Sequence, residues 1–231
     1  MTTGRWLVVA ALAAELPRGV GGCPGLATHV LGRIGIRERE RLPLGFSALI
    51  ITGTCGSLAP DVPLGSLVMP QRLLRQGLGL DSLEPDAGLR HALLAAAASE
   101  GLRVAEDALV EATGLIDEPS ERARLAKEHS AGFVDMESVS LALEAEERGI
   151  PWAVLRLVSD SPEHPLTFLG ELLGDSVSEQ PSGRRVALAL MRRPWHLPRL
   201  AALGWAVHVG RGAVGRILLG CVPTKASLAG E

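Results

Sequence analysis

The sequence lacks the residues on which several classes of protein depend. It contains no tyrosine and only 3% aromatic residues, so a protein that stacks nucleic-acid bases on aromatic side chains is not expected. Its cysteines, Cys23, Cys55 and Cys221, are odd in number and widely spaced, which predicts neither a disulfide framework nor a zinc site and is typical of a reducing cytoplasm. Basic residues are not in excess, since 26 acidic residues face 23 lysines and arginines. We therefore expect a cytoplasmic protein with no nucleic-acid partner, no metal and no cofactor.

An apolar run long enough to span a membrane is also missing. The run over residues 6–16 is too short, contains Glu15, and is not followed by a small-residue cleavage site of the kind that ends a signal peptide. What the chain does have is 231 residues, 47% of them hydrophobic and 21% charged. That composition can bury one sizeable core or two small ones, and it is not typical of a disordered protein.

Short apolar runs alternate with stretches of helical period. Continuous apolar runs of this length predict strands that are covered on both faces, over residues 7–11, 48–51 and 152–158. Apolar residues at helical spacing predict helices over residues 89–100, 120–129 and 138–148. The alternation favours an α/β layered fold. No internal repeat or linker interrupts it, so we predict one domain over residues 1–190.

The last part of the chain, residues 191–231, differs from this domain. Between Arg184 and Arg216 nine arginines and histidines are interleaved with leucine, valine and tryptophan, and no acidic residue occurs. We predict a basic, apolar helical segment. Two interpretations stay open: the segment packs on the body or on another subunit, or it makes a peripheral contact with an anionic membrane surface.

Polar and acidic residues follow each predicted strand. They are Glu15 after the first run, the turn-like Gly53–Ser57 after the second, and Ser159 and Asp160 after the third. The segment 133–138 passes from a short strand into a helix and adds two carboxylates. Because ligands of open α/β sheets bind outside the carboxyl ends of the strands, we expect these groups to line one polar cleft. No histidine is placed with them, which argues against a Ser-His-Asp hydrolase.

Each of these residues, taken alone, also has a structural explanation. Glu15 can be an acid in a first helical turn, and Gly53 and Gly56 can be glycines in a tight turn. Asp135, Ser138 or Asp160 can be an N-cap, and Met136 can be a core residue. No single motif therefore specifies a function.

Together, the segments resemble the purine/uridine nucleoside phosphorylase superfamily, most closely its methylthioadenosine/S-adenosylhomocysteine nucleosidase-like branch. The resemblance spans residues 6–162, and it implies an enzyme with a three-layer α/β/α sandwich around a mixed, bent sheet, commonly a homo-oligomer. The segments that carry it are Ala10–Glu15 (AALAAE), Thr52–Pro60 (TGTCGSLAP) with Val62–Val68 (VPLGSLV), Val134–Ser138 (VDMES) and Val158–Asp160 (VSD).

The resemblance implies a role for each site residue in cleaving the N-glycosidic bond of a purine nucleoside. Asp160 matches the acid that protonates the departing purine, and Glu15 matches the carboxylate that positions and deprotonates the attacking water. Glu137 matches the residue that binds the ribose hydroxyls. The remaining predicted substrate-binding residues are Met136, Thr54, Gly53, Gly56 and Ser159.

The nucleophile and the substrate are predicted less directly. Ile51 and Thr52 stand where phosphorylase members tend to carry arginine, and Glu15 would repel phosphate, so hydrolysis is favoured, while Arg18 keeps phosphorolysis open. The C-terminal segment resembles the hopanoid-associated branch, which implies a lipid-linked substrate, adenosylhopane, beside simpler 5′-substituted adenosines such as methylthioadenosine.

A non-catalytic nucleoside-binding relative is the competing hypothesis. Only 37 residues separate Glu15 from Gly53, a region where the family usually has a hairpin and a glycine-rich turn. Residues 19–25 are interpreted as what remains of that turn. The presence of Glu15, Glu137 and Asp160 together favours the enzyme, because a binding protein has no need of all three.

Overall fold

The long strands of this protein form where the apolar runs of the sequence predict them. The computed structural model describes residues 4–32, 42–76, 82–166, 192 and 194–222. Within these residues the strands are β1 (Trp6–Ala10), β2 (Leu26–Val30), β3 (Ala48–Ser57), β4 (Leu67–Val68), β5 (Leu73–Arg75), β6 (Val104–Ala105), β7 (Leu109–Glu111), β8 (Phe133–Asp135) and β9 (Trp152–Asp160). The α-helices are α1 (Ala87–Ser99), α2 (Pro119–His129), α3 (Ser138–Glu147) and α4 (Leu197–Cys221). The helices predicted over residues 89–100, 120–129 and 138–148 thus differ from α1, α2 and α3 by two residues at most at either end.

The described strands make one mixed sheet. Its order is β5-β7-β8-β3-β9-β4-β6, with β1 beside β3 and β2 beside β1. Strands β1 and β9 run parallel to β3, whereas β8 is antiparallel to β3 and β4 is antiparallel to β9. The predicted mixed sheet is confirmed.

Strand β3 is the centre of the sheet and changes partners along one edge. One edge pairs with β9 from Leu49 to Gly56. The other edge pairs with β1 through Ala48–Ile51 and then with β8 only at Gly56 and Ser57. The intervening residues, Thr52–Cys55, have neither strand beside them on that edge. The two neighbours of β3 therefore diverge and leave a gap over the middle of the strand.

The predicted turn over Gly53–Ser57 is wrong. These residues continue β3, which is six residues longer than the predicted strand at 48–51. The apolar pattern ends at Ile51 because the hydroxyls of Thr52 and Thr54 donate to the carbonyl of Val9 and to the carboxylate of Glu15, although the backbone stays extended beside β9. In this strand, the end of the apolar run therefore indicates that the side chains have polar partners, and not that the strand has ended.

Helices cover both faces of the sheet. Alternate side chains of β1 belong to opposite cores: Val9 packs in a cluster with Val139 of α3, whereas Val8 packs in a cluster with Leu93 of α1 and Ile217 of α4. Period-two alternation is what a strand between two apolar layers requires. The predicted three-layer arrangement is confirmed. Helix α2 packs against strands β7 and β8, which lie near one edge of the sheet.

Helix α4 joins the body through its C-terminal half. Its buried face includes Val214 and Ile217, and the backbone N–H of Arg18 donates to the carbonyl of Arg211 at 3.1 Å. Its N-terminal half exposes apolar side chains, among them Trp205 at 72%. The domain boundary predicted at residue 190 lies outside the described residues. In the part of the chain that the structure describes, no helix is long and apolar enough to cross a membrane.

Two glycines of α4 give a matched test of this packing. A Cβ at Gly215 would overlap the carbonyl oxygen of Arg18, whereas at Gly212 the nearest atom would be 3.8 Å away. We expect Gly215→Ala to lower the free energy of unfolding by about 1–3 kcal/mol through overpacking. Gly212→Ala is expected to raise it by up to about 1 kcal/mol through helix propensity. Urea unfolding measures both, and equal effects of the two substitutions would contradict this packing.

Candidate active site

Glu15 is held against the gap in β3. It ends the short 3-10 helix that follows β1, and its Oε1 accepts hydrogen bonds from the hydroxyl of Thr54 at 2.6 Å and from the backbone N–H of Thr54 at 3.2 Å. Its Oε2 accepts from the backbone N–H of Leu12 at 3.0 Å. Thr54 has no strand partner on this edge, so its amide is available to the carboxylate. The structure thus brings together two of the predicted site residues.

A buried arginine organises the carboxylates beside Glu15. Arg156 of β9 is 1% exposed, and its guanidinium pairs with Asp135 at 2.6 Å and with Glu137 at 3.5 Å. It also donates to the carbonyl of Thr52 at 3.0 Å and to the hydroxyl of Ser138 at 3.0 Å. The predicted ribose-binding residue, Glu137, is therefore tied to the same cation that spans β9, β3 and the start of α3.

Arg156 keeps its charge in spite of its burial. Burial by itself lowers the pKa of Arg156, but the negative charges of Asp135, Glu137 and Glu15 raise it, and the net pKa is above the ordinary value. Arg156 is not among the site residues predicted from the sequence. The signal was present as the single charge in the apolar run 152–158, because a charge at a buried position requires carboxylate partners.

The absence of a side chain at Gly53 lets two charged groups approach β3. The φ angle of Gly53 is +131°, in the region that favours glycine. A Cβ there would lie 2.5 Å from Nη1 of Arg156 and 3.3 Å from Oε2 of Glu15. The guanidinium and the carboxylate therefore face the same point on the strand. Gly53 thus opens β3 to these two charged groups, and it is not part of the predicted turn.

Asp160 belongs to a second cluster. It is 3% exposed, its Oδ1 accepts from the hydroxyl of Ser159 at 2.6 Å, and its Oδ2 is paired with the guanidinium of Arg122. Arg122, on α2, is fully buried and donates to the carbonyl of Ser57 at 2.7 Å. A Cβ at Gly56 would lie 2.7 Å from Oδ2 of Asp160 and 3.2 Å from Nη1 of Arg122, so the second glycine of β3 makes room for this pair.

Arg122 was also missed by sequence analysis. Only its position on the inward side of α2, which it shares with Leu125, distinguishes it from the exposed charges of that helix. Such a position becomes visible when the packing of the helix is known. The predicted contact residue Met136 is half-buried in the turn between β8 and α3, next to Glu137.

Charged groups of both clusters act on the pKa of the Cys55 thiol. Burial raises its pKa well above the ordinary value; Arg156 acts to lower it, while Asp135 and Asp160 raise it further. The thiol therefore stays protonated and fills space as a neutral group. Across the described residues, no three or more His, Cys, Asp or Glu side chains are grouped so that they could hold a metal ion. The cations that face the carboxylates of both clusters are guanidinium groups.

Comparison with known proteins places the chain in a class. The family model described as "Phosphorylase superfamily" matches residues 26–179, well over half of the chain. The chain therefore belongs to the phosphorylase superfamily, which is a superfamily of enzymes. The resemblance predicted from the sequence is confirmed at this level. No curated protein sequence matches the chain.

Solved structures of nucleosidases share the fold. The methylthioadenosine/S-adenosylhomocysteine nucleosidase of Helicobacter pylori with butyl-thio-DADMe-Immucillin-A is 16% identical with a TM-score of 0.66, covering 94% of this chain and 99% of that one. Native futalosine hydrolase of the same organism is 15% identical with a TM-score of 0.65, covering 95% and 97%. A point mutant of the first enzyme with 5′-methylthioadenosine in its active site is 19% identical with a TM-score of 0.62, covering 82% and 97%. At these identities the likeness shows the fold alone.

Removal of the Arg156 charge tests whether it holds the first cluster together. Arg156→Met removes the cation that pairs with the buried carboxylates of Asp135 and Glu137, so we expect the free energy of unfolding to fall by about 3–5 kcal/mol. Arg124→Met is the matched control, since Arg124 is 52% exposed and pairs only with surface glutamates. We expect that control to change stability by less than about 0.5 kcal/mol. Similar small changes in both variants, measured by urea unfolding, would contradict the role given to Arg156.

Proposed function

We propose that this enzyme cleaves the N-glycosidic bond of a purine nucleoside by hydrolysis, with a 5′-substituted adenosine as substrate. The observation that carries the proposal is the separation of the site into two carboxylate clusters. Glu15 and Glu137 lie around Arg156, and Asp160 lies in its own cluster with Arg122. In such a site, one set of groups can contact the sugar and another can donate a proton to the departing base. The ligand named with one structural neighbour, 5′-methylthioadenosine, supports the choice of substrate class.

The sugar side of the proposed site suits a developing positive charge. As the glycosidic bond breaks, the ribose becomes an oxocarbenium-like cation. Glu137 would accept hydrogen bonds from the ribose hydroxyls, and its negative charge, fixed by Arg156, faces that cation. Glu15 would hold the attacking water and take its proton, while Thr54 keeps the Glu15 carboxylate in place. Met136 would lie against the sugar or the base.

The base side requires a proton donor. The electron pair of the broken carbon–nitrogen bond leaves with the purine, which departs readily when a ring nitrogen is protonated. Asp160 would supply that proton, and its neighbour Ser159 fixes one carboxyl oxygen. General acid help of this kind is worth about 10²–10⁴-fold in rate.

Phosphorolysis is a second candidate because of two arginines near Glu15. Nε of Arg211 donates to the carbonyl of Leu16 at 2.5 Å, and His208 contacts Arg18. Burial and the positive charge of Arg18 lower the pKa of Arg211. The negative charge of Glu15 acts in the opposite direction, to raise the pKa of Arg211. Two guanidinium groups near Glu15 could bind a phosphate dianion.

The 5′ substituent is proposed to be apolar and lipid-linked, as in adenosylhopane. The support is the exposed apolar surface of the short 3-10 helix Pro194–His196 and of the first half of α4, together with the basic residues there, which would also suit peripheral contact with an anionic membrane. The exposed side chains concerned are Trp195, Leu197, Trp205 and Val209. A cytoplasmic homo-oligomer remains our expectation for the assembled enzyme.

An assay of base release tests the proposed function. The protein is incubated with methylthioadenosine, adenosylhomocysteine and an adenosyl-lipid, each with and without phosphate, and free adenine is measured. We expect release without phosphate; release that depends on phosphate would favour the second candidate. If no substrate yields adenine under either condition, the enzyme hypothesis fails, and nucleoside binding without product would identify a binding protein.

Asp160→Asn tests the role of the acid. Asparagine keeps the size of the side chain but offers no acidic proton, so we expect kcat to fall by about 10²-fold or more with little change in KM. Asp86→Asn is the control, because Asp86 caps α1 through the backbone N–H of Leu89. Asparagine caps nearly as well as aspartate, and this variant should keep wild-type turnover. A near wild-type kcat in Asp160→Asn would remove Asp160 from the reaction.

A further inference from the structure

The guanidinium of Arg122 is shared by two carboxyl groups. Its Nη2 pairs with Oδ2 of Asp160 and lies 3.5 Å from Oδ1 of Asp117. Nη1 of the fully buried arginine donates to the carbonyl of Ser57 at 2.7 Å. The proposed acid is therefore linked through one cation to a second carboxyl group, in the loop before α2.

Asp117 competes with Asp160 for this cation. Its Oδ1 also accepts from the backbone N–H of Leu166 at 3.1 Å, and its Oδ2 is buried with no hydrogen-bond partner among the described residues. Burial raises the pKa of Asp117; the Leu166 N–H and Arg122 act to lower it, and Asp160 acts to raise it. The charged groups near Asp160 are thus Arg122 from α2 and Asp117 from the preceding loop, and the titratable but neutral neighbour is the Cys55 thiol from β3.

A cation at this place has two opposite effects on proton donation. When the purine departs, the O–H bond of Asp160 breaks, an N–H bond forms on the base, and Asp160 is left as a carboxylate. A cation paired with a carboxyl group stabilises the carboxylate that such a transfer leaves behind, and it also reduces the fraction of carboxyl groups that hold a proton at a given pH. Arg122 occupies that place beside Asp160.

We propose that Arg122 is a positioning residue that fixes the orientation of Asp160 and sets the pH range over which Asp160 holds the proton for the departing base. The proposal rests on the proposed function. It differs from a purely structural role, in which Arg122 only fills the space between α2 and β3, because that role predicts no effect on the protonation of Asp160.

The test compares Arg122→Gln with Arg122→Lys. Titration of the Asp160 carboxyl carbon by ¹³C NMR is combined with the pH dependence of kcat. In Arg122→Gln we expect the titration midpoint of Asp160 and the high-pH limb of kcat both to move up by about one pH unit or more, because an opposite charge has been removed. Arg122→Lys keeps the charge and should stay nearer to wild type. A uniformly lower kcat with an unmoved profile and midpoint in Arg122→Gln would overturn the proposal.

Asp117→Asn provides a second variant if Arg122→Gln does not fold. It removes the competing carboxyl group and leaves Arg122 to Asp160 alone, so the midpoint of Asp160 should move in the other direction, to lower pH. An unmoved midpoint in this variant would also overturn the proposal. The NMR titration needs no turnover. If the wild-type protein releases no adenine, the proposed function fails, while the titration still decides whether Arg122 sets the protonation of Asp160.

Discussion

Two fully buried arginines constrain the centre of this molecule, because neither can be left without carboxylate partners. Ion pairs of Arg156 connect β9 to β8 and to the start of α3, and the ion pair of Arg122 connects α2 to the end of the same strand. Each reaches β3 opposite a glycine, Gly53 in one case and Gly56 in the other. Two glycines of β3 leave room for these cations, and acidic residues of the neighbouring elements pair with them.

The sequence was most informative where burial follows from apolar pattern. Strands β1 and β9 and helices α1 to α3 are confirmed nearly to the residue, because each has an unbroken apolar run or face. The acids were predicted from their place after strands, whereas their cations were not. Arg156 lies within an apolar run and Arg122 within a charged helix, and only three-dimensional packing shows that both point inward. The continuation of β3 past Ile51 was hidden for the same reason: polar partners replaced apolar ones.

Helix α4 shows a further limit of local pattern. Its composition predicted a helical segment, but not that its backbone lies against the chain that follows Glu15. The contact depends on Gly215, which lets the helix approach the carbonyl of Arg18, and on the hydrogen bond from Arg211 to Leu16. Because Leu16 directly follows Glu15, the C-terminal helix helps to hold the chain that carries the carboxylate. A contact between residues nearly 200 positions apart leaves no periodic trace in the sequence.

The balance of charge in the two clusters bears on the choice between water and phosphate. Carboxyl groups outnumber guanidinium groups there, since Arg156 faces three acids and Arg122 faces two. The acids are Glu15, Asp135, Glu137, Asp117 and Asp160. With Asp160 protonated as the proposed acid, four other carboxyl groups still face the two guanidinium groups, and an excess of negative charge favours a sugar that becomes cationic and opposes an incoming dianion. Arg18 and Arg211 lie near Glu15 but on the side of α4, and a phosphate bound to them would still have to approach that carboxylate. The charge distribution is thus an argument for the proposed hydrolysis, in which Glu15 would be the group that decides between water and phosphate.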